Sequence, residues 1–555
     1  AEQSAGESVD LAGDLDGDGF EDVVVGAPHS GFNGADSGAV YVVFGDSGLD
    51  ELAPASFGLG ALDDCASPTL CGILIRGEAA GDLAGTSASF AGDLNDDGHD
   101  DLIVGAPGAS PLGRTGAGKA YVLYGPLGPG IVDLSAVGST VPGLVLYGET
   151  AGDRAGASVS WWQDLSGDGV DDFLIGAPGA TTLDEFGDPI VEAGYVYAIH
   201  GGTSNLDAKA EAGGVIRLER VADGTGTQIL GVVFLGLAPS GEIGRSVKGA
   251  VDVDGDGVAD VLIGGNDVAW VIPGDGPKTT SGSTTLEPKP RVEPGGQLSR
   301  IVGEEDAVTA FGAFYFAPGG DGALGGLVVG GAGDANDDGV DDYVIGAPAA
   351  ELPGKTGAGK AYVVFGSPAP EAGERLLSDV GETVPGLVVE GYEAGDALGS
   401  SVGGGFDVNA DGVDDALVGA PFADSLAATP TDAGESYVIS PVAPVEVVLL
   451  KLRATVTGTE LEWTVPHRAL FYNVYRGAME ILGAYPEVRT SNMTAWACGI
   501  ETDADADGLP DTLDADSPVA GTGFFYLVTG ENATGEGPLG PEGAVPARVL
   551  DSQCP

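Results

Sequence analysis

Along the first 440 residues, polar loops alternate with apolar runs of four to six residues that end in glycine and proline, as in DDLIVGAP (100–107) and DDFLIGAP (171–178). Runs this short, closed by such residues, predict buried strands, since a helix needs a longer and more periodic pattern. Each apolar run has the same neighbours. An approach strand such as 87–91 precedes its polar loop, and a variable connection follows it. A third strand comes next, GKAYVLYG (118–125) or GKAYVVFG (359–366), and then a fourth, GLVLYGE (143–149) or GLVVEGY (386–392).

The polar loop carries the chemistry. It reads DLDGDGFED from Asp14, and it returns as DLNDDGHDD from Asp93, DLSGDGVDD from Asp164, DVDGDGVAD from Asp252, DANDDGVDD from Asp334 and DVNADGVDD from Asp407. Oxygen-bearing residues at positions 1, 3, 5 and 9 with glycine at 6 are the ligand side of a calcium loop, because this hard cation takes six to eight oxygens. The candidate ligands are Asp14, Asp16, Asp18 and Asp22; Asp93, Asn95, Asp97 and Asp101; Asp164, Ser166, Asp168 and Asp172; Asp252, Asp254, Asp256 and Asp260; Asp334, Asn336, Asp338 and Asp342; and Asp407, Asn409, Asp411 and Asp415. An EF-hand is excluded by the flanks, since an amphipathic helix would have to follow and a strand ending in Gly-Ala-Pro follows instead. The six loops start 79, 71, 88, 82 and 73 residues apart. Four short strands in a period of that length predict one propeller blade, a small sheet that buries its faces only against its neighbours.

These residues resemble the FG-GAP repeats of the integrin alpha-subunit β-propeller and its bacterial secreted relatives. The Gly-Ala-Pro of the family stands at Gly26, Gly105, Gly176, Gly346 and Gly419, and the fourth repeat departs with Gly264-Gly265-Asn266. The resemblance covers residues 1–440 and implies a seven-bladed propeller with Ca²⁺ in its blade loops. Six motif-bearing blades are expected here, and a seventh has room only in the less regular stretch from about 265 to 330. Because Asp14 lies so near the start of the chain, the first repeat is expected to lack the strand that precedes the other loops, and either residues 1–8 or the segment from Val442 must complete the last blade.

After Pro441 the repeat stops. Leu461-Glu-Trp463, Tyr472-Asn-Val-Tyr475 and GFFYLVTGENATGEGPLG (523–540) read as alternating strands around a core tryptophan and resemble a fibronectin type III-like domain of bacterial secreted proteins, covering 441–555. Within it, Asp503, Asp505, Asp507, Asp511 and Asp514 take positions 1, 3, 5, 9 and 12 of a further candidate calcium loop.

Charge fits this picture. The chain has 85 acidic against 22 basic residues and a net charge of -63, yet 43% of it is hydrophobic, which suits a folded protein with metal-bound carboxylates rather than a disordered one. Six calcium ions would leave about −51, so nucleic acid is not an expected partner and an anionic membrane surface would repel the chain. The four cysteines suit an oxidising compartment, with Cys65–Cys71 and Cys498–Cys554 as the expected pairs. No apolar run is long enough to span a membrane.

Three catalytic look-alikes fail in context. Gly113 to Lys119 and Gly354 to Lys360 copy most of a phosphate-binding loop, but each precedes a strand and lacks the Ser or Thr that Mg²⁺ needs. Gly399-Ser-Ser401-Val-Gly403 copies a nucleophile elbow, but Ser87 and Ser158 stand in the same place in other repeats, as close packing requires. His99 falls at position 7 of its own loop, where the backbone carbonyl is the ligand and the imidazole points away. The expectation is a non-enzymatic, secreted, calcium-loaded, all-β chain, a propeller followed by a β-sandwich. It would serve adhesion, recognition or assembly with an extracellular protein or a cell-surface glycan. The alternative is a secreted carbohydrate-active enzyme or its glycan-binding accessory module.

Overall fold

The computed structural model describes residues 4–45, 59, 62, 71–164, 168–183, 186–223, 227–236, 238–266, 268–272, 274, 299–301, 313–316, 326–368, 373–408, 412–423 and 434–440. It also describes the backbone of strands 449–455, 458–463, 471–479, 494–500, 511–514, 523–532 and 535–536. No α-helix occurs among the described residues. They fall into two compact units, one of residues 1–49, 58–329 and 367–377, the other of 50–57, 330–366 and 378–555.

In the first unit the predicted four-strand order appears in each repeat. Ser8–Gly13, Asp22–Gly26, Ala39–Val43 and Gly72–Arg76 form sheet 1, and Ser87–Phe90, Leu102–Ala106, Lys119–Leu123 and Gly143–Tyr147 form sheet 2. Sheet 3 is Ser158–Trp162, Asp172–Ala177, Tyr195–Ile199 and Gly231–Leu235; sheet 4 is Ser246–Val251, Asp260–Gly264, Val268–Ile272 and Ala313–Phe316. All four are antiparallel in these strands, with registers such as Ser87↔Gly105 and Leu102↔Leu123. The irregular stretch after Gly265 thus supplies the third and fourth strands of sheet 4.

In sheets 2, 3 and 4 the apolar runs are continuous because the second strands are buried on both faces, whereas Val23 in the second strand of sheet 1 is exposed. Successive side chains point opposite ways, so Leu102 and Val104 join a core with Val42, Ile73 and Ile75 of sheet 1, while Ile103 joins a core with Phe173 and Ile175 of sheet 3. Leu174 then faces sheet 4 with Val261 and Ile263. First strands lie against one another. Ser87 Oγ accepts the Val159 amide at 3.0 Å, and Ser158 Oγ accepts that of Val247 at 3.0 Å. This explains the small residues of the elbow-like position. The glycine of Gly-Ala-Pro is there for the same closeness, since a Cβ on Gly105 would overlap the carbonyl oxygen of Gly156.

A fifth strand was not foreseen. Gly130–Asp133, from the connection between the third and fourth strands of sheet 2, runs parallel to Gly72–Arg76 and covers the outer edge of sheet 1. Val215–Arg217 does the same for sheet 2 and Gly373–Leu376 for sheet 4. Each is followed by a 3₁₀ turn that buries a leucine, Leu134, Leu218 or Leu377.

In the second unit, Val328–Gly333, Asp342–Ala347, Lys360–Val364 and Gly386–Glu390 form sheet 5. Ser401–Phe406, Asp415–Ala420, Glu435–Ile439 and Leu449–Thr455 begin sheet 6, continued by Gly458–Trp463 and Asp511–Asp514. Two readings at the ends are decided here. The first repeat does not lack its leading strand, because Ser8–Gly13 pairs with Asp22–Gly26 and six residues suffice for it. The last repeat takes its fourth strand from beyond Val442, through Val438↔Leu450 and Ile439↔Leu449. Strands 471–479, 494–500, 523–532 and 535–536 form a separate antiparallel sheet.

Candidate metal centres

Every acidic loop bridges the first and second strands of its sheet, and its first aspartate organises it. Asp14 accepts the amides of Gly17, Asp18 and Gly19, each at 2.9 Å. Asp93 accepts those of Asp97 and Gly98, Asp164 those of Asp168 and Gly169, Asp252 those of Asp256 and Gly257, and Asp334 those of Asp338 and Gly339. Asp407 accepts the Gly412 amide at 2.7 Å. Position 5 then accepts the amide two residues on, as Asp18 does from Phe20 and Asp168 from Val170. The chain is wound so that several carboxylates converge on one volume.

Position 9 is the buried anchor. Asp22, Asp101, Asp172, Asp260, Asp342 and Asp415 have no exposed surface. Asp22 accepts Leu15 and Gly45 amides at 2.9 and 2.8 Å, Asp101 those of Leu94 and Gly125, and Asp260 those of Val253 and Gly274, so each ties its loop to the end of the third strand. Two amide donors leave further lone pairs on each carboxylate free for a cation. Burial is the main cause that pushes these acids up, Asp22 to about 6, Asp342 to about 7, and Asp101 and Asp260 to about 8. Asp16 and Asp254 are also raised, by burial first and then by the neighbouring charges of Asp18 and Asp256.

The donor set fits a hard divalent cation. Carboxylate oxygens of Asp14, Asp16 and Asp18 lie within 4.8 Å of one another, and so do those of Asp252, Asp254 and Asp260. Where asparagine holds position 3, Asn95 Oδ1 is buried with no donor, and Asp342 Oδ2 is buried in the same state. Oxygens gathered without donors are what a cation would satisfy. The side chains of Ser166, Asn409, Asp411, Asp503, Asp505, Asp507, Asp511 and Asp514 lie outside those described, as do Cys65, Cys498 and Cys554 of the expected disulfides.

The look-alikes resolve as packing. Lys119 is buried, with Nζ on Glu78 and over the rings of Tyr121 and Tyr147, so no free ammonium awaits a phosphate. His99 lies against Gly17 of the neighbouring loop. One feature escaped sequence reasoning. The aspartate at position 8 reaches the preceding repeat, as Asp100 Oδ2 accepts the Asp14 amide at 2.8 Å and Asp171 Oδ2 that of Asp93 at 3.0 Å. Its signal was in the text: Gly13 and Gly92, directly before the first aspartates, are followed one repeat later by an acid at position 8.

Three segments, 5–43, 84–123 and 398–439, match the FG-GAP repeat. The chain is 27% identical over 263 residues to integrin alpha pat-2 of Caenorhabditis briggsae, which covers 46% of this chain and 17% of that protein. It is 30% identical over 205 residues to human integrin alpha-7, covering 36% and 14%. A shorter stretch of 89 residues is 40% identical to phosphatidylinositol-glycan-specific phospholipase D of Mus musculus, covering 16% and 10%. The chain thus spans less than a fifth of the length of these relatives. It carries FG-GAP repeats, is integrin alpha-like over them, and has the all-β propeller fold that such repeats build.

Proposed function

We propose that this chain is a secreted, calcium-stabilised recognition or adhesion protein that binds an extracellular protein or a surface glycan. In this reading 1–440 carries the propeller repeats, the last of them completed by Leu449–Thr455, and 441–555 otherwise forms a fibronectin type III-like sandwich with its own calcium loop at Asp503 to Asp514. Calcium is held by the residues at positions 1, 3, 5 and 9 of each propeller loop, together with the carbonyl at position 7. The observation that carries the reading is the gathering of three carboxylates within 4.8 Å in the loops of Asp14 and Asp252, on repeats that match the FG-GAP repeat and are similar to those of integrin alpha chains. The ion supplies rigidity rather than chemistry here, because it sits at one end of each sheet and holds the first and second strands in register. Recognition falls to the connections at the other ends, which differ in length and sequence between repeats.

The rival reading, a secreted carbohydrate-active enzyme or its accessory module, has less support. Sugars stack on exposed aromatic rings, whereas the aromatics that recur in the third strands, Tyr41, Tyr121, Tyr197, Trp270, Tyr362 and Tyr437, are all buried. No helix among the described residues is long and apolar enough to cross a membrane. The test is to present purified protein, in millimolar Ca²⁺ and in EDTA, to arrays of matrix proteins and surface glycans and to a panel of polysaccharides. Calcium-dependent retention without turnover is expected; release of sugar products would put the enzyme reading first.

A further inference from the structure

Adjacent acidic loops are joined in a way that their own ligand sets do not require. Position 8 carries no ligand in a loop of this kind, yet Asp100 of loop 2 accepts the Asp14 amide of loop 1 at 2.8 Å. Asp171 of loop 3 accepts the Asp93 amide of loop 2 at 3.0 Å, and within the second unit Asp414 of loop 6 accepts the Asp334 amide of loop 5 at 3.2 Å. In each case the amide belongs to the aspartate that organises the preceding loop, and the carboxylate stands beside a position 9 anchor of its own loop. The residue before that amide is Gly13, Gly92 or Gly333, all at positive φ, and a Cβ on any of them would overlap the incoming carboxylate. Aromatic packing reinforces the second link. Trp161 of sheet 3 meets Phe90 of sheet 2 edge-on, with ring centroids 5.0 Å apart.

The pattern also has a break. Loop 4 has Ala259 at position 8, a side chain that cannot accept a hydrogen bond, and the residue before Asp164 is Gln163 instead of glycine. Sheets 3 and 4 meet there through the Trp162 indole, which donates to the Ala259 carbonyl at 2.9 Å, a contact between backbone and strand that does not touch the first aspartate of loop 3.

We infer that the aspartate at position 8 couples each loop to the one before it, so that cation binding in loops 1, 2 and 3 is cooperative and this coupling stops before loop 4. A cation in loop 2 fixes the end of that loop and with it Asp100; Asp100 then holds Asp14 in the orientation in which its carboxylate can bind. The coupling is reciprocal, since a free energy shared by two binding sites acts on both. The inference rests on the cation-loop reading proposed above, and the experiment separates the two.

Hydrogen exchange followed by mass spectrometry, in Ca²⁺ and in EDTA, reads each loop through its own peptide. In the wild type, Ca²⁺ slows exchange of all four loop peptides in the first unit. Asp100→Ala removes no ligand, yet it speeds exchange of the loop 1 peptide in saturating Ca²⁺ by about tenfold, the scale of one lost charge-assisted hydrogen bond, and leaves the loop 4 peptide unchanged. Asp171→Ala does the same to loop 2 and flattens the Ca²⁺ titration of Trp161 fluorescence, while Asp100→Asn, which keeps an acceptor oxygen, restores part of the protection of loop 1. Equal acceleration of loops 1 and 4, whether from no link or from general loss of stability, overturns the inference. Absence of any Ca²⁺ effect in the wild type would instead strike the cation-loop reading and leave the Asp100→Ala comparison to judge the link.

Discussion

Asp168 stands at position 5 of the third loop, where its Oδ1 accepts the Val170 amide at 3.1 Å and its own amide is held by Asp164 at 2.9 Å. It belongs to the loop with serine at position 3, so its carboxylate is a larger share of the ligand charge there. Asp188 is also acidic but lies exposed in the connection that follows. Asp168→Ala is therefore expected to lower the melting temperature in Ca²⁺ by several degrees, while Asp188→Ala stays within about 0.5 kcal/mol of wild type; equal effects would mean that the loop is misread. The position 9 acids give a pH dependence. Their folded pKa values, about 8 for Asp101 and Asp260, lie above the 3.8 of an ordinary carboxyl, so without metal the folded chain binds more protons than the unfolded one between those limits. These groups therefore make the apo fold less stable as pH rises from about 4 to about 8. Calcium needs the ionised form and counters this, so the drop in melting temperature caused by EDTA should be larger at pH 8 than at pH 5. The reverse order would contradict the burial of these anchors. The acidic loops themselves were legible in the sequence because their aspartates and glycine recur at fixed offsets. The amide partners of position 9 were not, since Gly45 and Gly125 are separated from Asp22 and Asp101 by two strands and a connection of variable length.

The strands show the same division between local and distant causes. Continuous apolar runs, closed by Gly-Ala-Pro in every repeat but the fourth, were enough to place the second strand of each repeat, and in sheets 2 to 5 burial on both faces leaves no room for alternation. The parallel fifth strands were missed, since Gly130–Asp133 is short, half-buried and partnered by a strand of the preceding repeat. The leading strand at Ser8–Gly13 was missed because the thirteen residues before Asp14 looked too few to supply it. Packing between repeats makes a clear mutational contrast. Gly105→Ala would drive a methyl group into the Gly156 carbonyl and should destabilise by about 3 kcal/mol or more, whereas Gly128→Ala meets nothing within 4 Å and should be near neutral. Denaturant midpoints of the two variants decide it, and a Gly105→Ala chain of native stability would refute the close contact of adjacent repeats.

For the whole molecule, charge is the governing quantity. Even with six calcium ions bound, a chain of net charge -63 keeps a large negative field, so copies can approach only where divalent ions bridge carboxylates of both, an effect that monovalent salt, which merely screens, does not reproduce. Sedimentation in millimolar Ca²⁺ against NaCl of equal ionic strength should show association in the first alone, and association indifferent to calcium would remove this argument. Loss of the ions should also weaken the fold as a whole, because each site occupied at a hundredfold excess over its Kd contributes about 2.7 kcal/mol to the folded state. All of this depends on the acidic loops being cation sites. The direct measurement is the calcium content of protein dialysed exhaustively against metal-free buffer after loading, by elemental analysis against protein concentration. The account predicts about six ions per chain, one for each propeller loop, with a seventh if Asp503 to Asp514 also binds; two ions or fewer would contradict it.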